Sequence, residues 1–99
     1  MRLKEYAAIT QASAPRFVED GGEIEYELVL DAKGHEAFLI FGRRPDGTRI
    51  KCIVINSGMQ KFLKSLPSLR SFHLTCYPDC DTLTIPMQVN NELMKETAA

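Results

Sequence analysis

The stretch between residues 24 and 48 constrains the fold more than any other part of the chain. Ile24, Tyr26, Leu28 and Leu30 alternate with Glu25, Glu27, Val29 and Asp31, the period of a strand with one covered and one wet face. A short turn, Ala32-Lys33-Gly34-His35, leads into a second strand over 36–43. There Phe38, Leu39, Ile40 and Phe41 are apolar on both faces, which places that strand centrally, covered on two sides. Arg44-Pro45-Asp46-Gly47-Thr48 is a strong reversal signal. Proline presets φ, aspartate bonds its own backbone and glycine accepts a positive φ. A third strand follows over 48–56, with Ile50, Cys52 and Val54 on one face and Arg49, Lys51, Ile53 and Ile55 on the other.

Beyond Asn56 the spacing changes. Met59, Phe62, Leu63 and Leu66 fall at i, i+3, i+4 and i+7, a helical stripe that Asn56 or Ser57 caps and Pro67 ends. Residues 69–77 alternate again, Arg70, Phe72, Leu74 and Cys76 against Ser71, His73, Thr75 and Tyr77, and read as a fourth strand. Tyr77-Pro78-Asp79 reads as a turn and 80–85 as a short fifth strand. Asn90 or Asn91 caps a last helical turn holding Leu93 and Met94. In residues 1–23, Leu3, Tyr6, Ala7 and Thr10 suit a short helix or an irregular arm, with an edge strand as the alternative, interrupted at Pro15 and followed by the flexible turn Asp20-Gly21-Gly22.

The expected architecture is therefore α+β: an antiparallel sheet of about five strands in the order β-β-β-α-β-β, with one packed helix and a short C-terminal helical turn. This order resembles the connectivity of an OB-like barrel, and an open antiparallel sheet with a helix on its face satisfies it equally. At 99 residues the chain fits a single domain. It divides into an arm or helix over 1–23, a sheet-and-helix core over 24–86 and a tail over 87–99.

The longest apolar run, 37–41, is far shorter than the roughly 20 residues of a membrane span. The opening Met1-Arg2-Leu3-Lys4-Glu5-Tyr6 lacks the apolar core of a secretory signal. The cytoplasm, of a cell or of an infected host, is the expected compartment.

The net charge of −1 conceals a strong asymmetry. Residues 19–36 carry Glu19, Asp20, Glu23, Glu25, Glu27, Asp31 and Glu36 against Lys33 alone, whereas 37–76 carry seven cations against Asp46 alone. Arg43, Arg44, Arg49 and Lys51 flank one hairpin, with Lys61 and Lys64 further on. They form a candidate surface for an anionic partner, single-stranded nucleic acid first. Phe38, Phe41 and Phe72 would stack bases if any faced outward. The competing arrangement places Glu25 and Glu27 beside these arginines on neighbouring strands and neutralises the patch. The expected class is thus a small non-enzymatic binding protein. Its alternative is a protein-interaction module, such as a phage or mobile-element inhibitor or adaptor. Such a module would dock on a host protein through Glu19, Asp20, Glu23, Glu25 and Glu27 or through a sheet edge, and an edge strand also allows a homodimer.

No metal, cofactor or catalytic constellation is expected. Cys52, Cys76 and Cys80 with His73 lack zinc-ligand spacing, and three cysteines are too few for a disulfide scaffold. There is no glycine-rich phosphate loop, no G-x-S-x-G and no H-E-x-x-H. His35 and His73 stand apart, with no evident nucleophile for either.

Overall fold

A computed structural model describes residues 6–90 of the chain. Its elements are β1 (Ile9–Thr10), α1 (Ala14–Glu19), β2 (Glu23–Leu30), β3 (Glu36–Arg43), β4 (Arg49–Ile53), β5 (Phe62–Leu63) and α2 (Leu66–Cys76). The three-strand meander is where the alternation puts it. β2 and β3 pair antiparallel along their whole length, Glu23 opposite Arg43 through Leu30 opposite Glu36. β3 then pairs β4 antiparallel, with Arg43 opposite Arg49.

The rest of the sheet differs from the expected one. Strand order is β1-β4-β3-β2, with β5 against β3, and β1 runs parallel to β4. The sheet is therefore open and mixed, not wholly antiparallel, and there are two helices among the described residues. β4 leaves the sheet after Ile53, and β5 takes its place beside β3, Phe62 opposite Leu39 and Leu63 opposite Phe38. The residues expected to form the helix, 57–66, thus form a loop and β5. Gly58 at φ +70° turns that loop back, and the Val54 N–H donates to the Met59 carbonyl at 2.8 Å.

Residues 69–77, expected as a strand, belong to α2. Ser65 holds an extended backbone and its hydroxyl accepts from the Ser68 N–H at 3.2 Å, which satisfies one orphan donor of the first turn. Pro67 sits in that first turn, where its missing N–H carries no penalty, so it opens this helix instead of closing another. Leu69, Phe72 and Cys76 then fall at i, i+3 and i+7 and are buried. Pro15 does the same for α1, which starts after Ser13 and Thr10 exchange hydrogen bonds. Residues 80–85 form no strand. The segment rejoins the sheet only at Val89, which bridges Leu28 in parallel. The proposed C-terminal turn from Asn91 onward, with Leu93 and Met94, lies outside the described residues, as do residues 1–5.

Both helices pack on one sheet face. Ile24, Tyr26 and Leu28 of β2, Phe38 and Ile40 of β3, and Ile50 and Cys52 of β4 meet Phe17 of α1 and Leu69, Phe72 and Cys76 of α2 in one core. Phe17 is wholly buried and stands edge-on to Tyr6, ring centroids 5.2 Å apart. The opposite face carries a smaller cluster of Val29, Leu39 and Phe41 with Phe62 packed against it. β3 is thus covered on both sides, as its unbroken apolar run requires.

Candidate functional site

The strand register decides what becomes of the arginines. Glu25, Glu27, Phe41, Arg43, Arg49 and Lys51 occupy alternate positions on β2, β3 and β4, so they share the face opposite the helices. The Arg43 Nε and Nη2 donate to the two Glu25 carboxylate oxygens at 2.5 and 3.0 Å. Such a two-point fork is the favoured guanidinium–carboxylate geometry. Arg49 Nη2 donates to Glu27 Oε1 at 3.1 Å, and its Nε lies 3.1 Å from Glu25 Oε1. The same guanidinium sits 4.2 Å above the Phe41 ring centroid, a cation–π contact. The hydrogen bond from Arg43, ahead of its charge and that of Arg49, holds the Glu25 carboxyl below the ordinary carboxylate range, partly offset by burial.

Of the expected basic patch, then, Arg43 and Arg49 are engaged with the acidic strand beside them. Arg44 donates to the Tyr6 carbonyl. Lys51 and Lys64 are exposed and Lys61 half-buried, with no ion pair to another described residue. The expected acidic interface is similarly divided. Glu25 and Glu27 face the arginines, and Asp20 pairs with Arg16 at 3.4 Å and accepts from the Tyr6 hydroxyl at 3.2 Å. Glu19 and Glu23 are exposed. Phe38, Phe41 and Phe72 are all buried, so none is a stacking platform.

The edges of the sheet are short or plugged. β1 is only two residues long. At β2 the Ile24 N–H donates to the Tyr77 hydroxyl at 3.0 Å, and the Leu28 carbonyl accepts from the Asn90 N–H at 2.7 Å.

Cys52 and Cys76 are buried, and burial pushes both thiols up to about 11. Among the described residues, no three or more His, Cys, Asp or Glu side chains gather as a metal site. His73 lies against Tyr26 and Tyr77. Its Nδ1 shares a 2.8 Å hydrogen bond with the Tyr26 hydroxyl, and its ring stands 4.8 Å from that of Tyr77. Burial lowers its pKa. No described helix is long and apolar enough to cross a membrane.

The unexpected feature is the loop between β4 and β5. Ile55 is 74% exposed, Met59 69% and Val54 39%, although all three were expected in a strand or a helix. A trace of this was present in the sequence: Asn56-Ser57-Gly58 is a turn triplet, and turn residues between apolar ones put those neighbours at a loop tip. Comparison with known proteins found no matching family model, no similar curated protein and no similar solved structure.

Proposed function

We propose that this chain is a small non-enzymatic binding protein that docks on another protein through its β4–β5 loop. The observation behind the reading is the exposure of Val54, Ile55 and Met59 on one short loop while Arg43 and Arg49 are occupied by Glu25 and Glu27. Apolar side chains left at a loop tip contribute nothing to the fold, and covering them is the favourable step of an association. The expected routes through the acidic strand or a sheet edge are weaker, because Asp20, Glu25 and Glu27 are paired within the chain and the β2 edge is bonded at Ile24 and Leu28. Photocrosslinking tests the docking surface. A crosslinker at position 55 should yield a protein adduct in extract of the source cells that wild-type protein competes away and Ile55→Asp does not. A crosslinker at Met87, which is 84% exposed elsewhere, is the control. Equal adducts from both positions would refute the reading.

One observation supports the nucleic-acid alternative: Lys51, Lys61 and Lys64 carry no ion pair to a described residue. Single-stranded oligonucleotide binding through these three would show a slope of log K against log salt of about −2, at roughly −0.7 per phosphate contact. Absence of binding at low salt removes this alternative.

A further inference from the structure

We infer that the partner presents an amphipathic segment, apolar along one side and carrying a carboxylate, which lies in a groove beside α2. The inference rests on the docking reading above and names its occupant. Pro67, Ser71 and Thr75 recur at four-residue intervals and share one stripe of α2. The eight rises of about 1.5 Å from Pro67 to Thr75 make that stripe about 12 Å long. It forms one wall of a depression of about 430 Å³ whose other wall is Gln11 and Lys61. Gln11, Lys61 and Thr75 also line a second depression, of about 520 Å³, which continues to Val54 and Ile55. The two depressions therefore adjoin along Gln11, Lys61 and Thr75, and together they run from the start of α2 to the apolar loop.

The lining states what fits. The α2 wall has short side chains, and two of its hydroxyls are already engaged: Thr75 donates to the Ser71 carbonyl at 3.0 Å, and Ser68 bonds Ser65 at 2.9 Å. A backbone can approach such a wall closely, and the Ser71 hydroxyl is left to bond it. The loop end is aliphatic, suited to a Leu, Ile or Phe anchor. Lys61 is the charged side chain in both compartments, and no carboxylate among the described residues lines either. A bound segment that covered Lys61 without a counter-charge would strand a desolvated ammonium, which is strongly unfavourable. The occupant must therefore supply an acid there. About 12 Å accommodates two turns of helix or four extended residues.

Selection from a displayed library of random dodecapeptides on the intact protein tests this. The expected enrichment is of peptides combining aliphatic or aromatic residues with Asp or Glu. The best of them, measured by fluorescence anisotropy, should lose about tenfold or more in affinity to Ile55→Asp and to Lys61→Glu. Replacing its acidic residue by Lys should restore binding to Lys61→Glu, a rescue that misfolding cannot produce. Both variants should keep the wild-type melting temperature within about 2 °C, since neither side chain is buried. No enrichment, or enrichment of basic or uncharged peptides, overturns the inference. Binding that needs Ile55 but ignores Lys61 overturns the acidic occupant and leaves protein docking in place. Sedimentation with phosphatidylglycerol vesicles that Ile55→Asp abolishes would reassign the loop to a lipid surface and overturn both.

Discussion

Glu25 lies diagonal to Arg43 across the β2–β3 ladder, not opposite it: its direct partner is Phe41, and Arg43 faces Glu23. That offset lets one carboxylate serve two cations, because Arg43 in turn faces Arg49 across the next ladder. Two guanidinium groups directly opposite one another repel, and Glu25, in contact with both, offsets the repulsion. Arg49 adds Glu27 on its far side and Phe41 beneath it. The basic hairpin is thus part of the sheet's own cohesion.

The first prediction follows from that arrangement. Glu25→Gln should destabilise the fold by about 1–2 kcal/mol, above the 0.2–1 kcal/mol typical of one exposed pair, because it leaves Arg43 and Arg49 facing each other. Arg43→Gln in the same background should recover part of the loss, and urea titration of the four proteins measures the coupling. The pH dependence has a definite sign. Glu25 is lowered in the folded state by Arg43, so its contribution is complete above the ordinary carboxylate value and is lost as pH falls through the folded value. The advantage of the wild type over Glu25→Gln should therefore shrink as pH falls through that range, and a gap that stays constant would contradict this. Arg43→Glu with Arg49→Glu, for the same reason, should destabilise the fold by more than Glu25→Gln does and not merely alter its surface.

Close packing at Phe17 gives the second. A Cβ built on Gly22 would lie 2.3 Å from the Phe17 ring, and one on Gly42 2.7 Å from it. Neither glycine has the backbone angle that only glycine tolerates, so the requirement is room. Gly42→Ala should therefore cost about 1–3 kcal/mol by overpacking. Phe17→Leu in the same chain should recover part of this, even though Phe17→Leu alone is destabilising. Thermal denaturation of the double variant decides: strict additivity would sink the idea.

How far the chain was legible depended on whether local and long-range signals agreed. In 24–43 the alternation, the turn residues and the two-sided apolar run all agree, and β2 and β3 are where they indicate. In 57–77 two periodicities overlap. Met59, Phe62, Leu63 and Leu66 match a helical stripe, yet Phe62 and Leu63 are needed as the strand that continues along β3 once β4 departs. Arg70, Phe72, Leu74 and Cys76 match a strand, yet Leu69, Phe72 and Cys76 match a helix equally. The punctuation decides between them, because Pro67 opens a helix and does not close one. Pro67 follows Ser65 by two residues, and a serine cap before a first-turn proline marks a helix start. An edge strand before Pro15 was open as an alternative, but its parallel pairing with β4 joins residues some forty apart and has no local signal. At the site, the competition between Glu25 or Glu27 and the arginines was visible as an alternative, because cross-strand charge pairs follow from register. The exposed β4–β5 loop left only the turn triplet Asn56-Ser57-Gly58 as a trace, since its exposure depends on where β4 leaves the sheet.

The third prediction separates the two assignments of 57–66. Leu63 is buried against Phe38 on β3, so Leu63→Ala should cost about 2–5 kcal/mol. Met59 would share that cost in a helix, but at 69% exposure Met59→Ala should change stability by less than about 0.5 kcal/mol. Ser65→Ala should lower stability by about 0.5–2 kcal/mol through loss of the α2 cap, and Ser57→Ala should not. A destabilising Met59→Ala with a neutral Ser65→Ala would restore the helix over 57–66.

The last prediction concerns His73, the one imidazole held between the sheet and α2. Its ring contacts Tyr26 and Tyr77, and both phenols are raised, first of all by burial, so both stay neutral across the working pH range. Burial also lowers the His73 pKa, which means the folded state favours the uncharged ring that shares its Nδ1 with the Tyr26 hydroxyl. The unfolded chain then takes up a proton at higher pH than the folded one does. Stability should be complete above the ordinary histidine value of 6.5 and should decline as pH falls from there toward the folded value. That window lies above the one in which Glu25 titrates, so the two contributions separate along the pH axis. Urea titrations between about pH 8 and about pH 5 should show a decline for the wild type. His73→Gln, which keeps a polar partner for Tyr26 but cannot titrate, should flatten the curve. A wild-type curve that stays flat, or one that keeps its slope in His73→Gln, would remove His73 from the pH response.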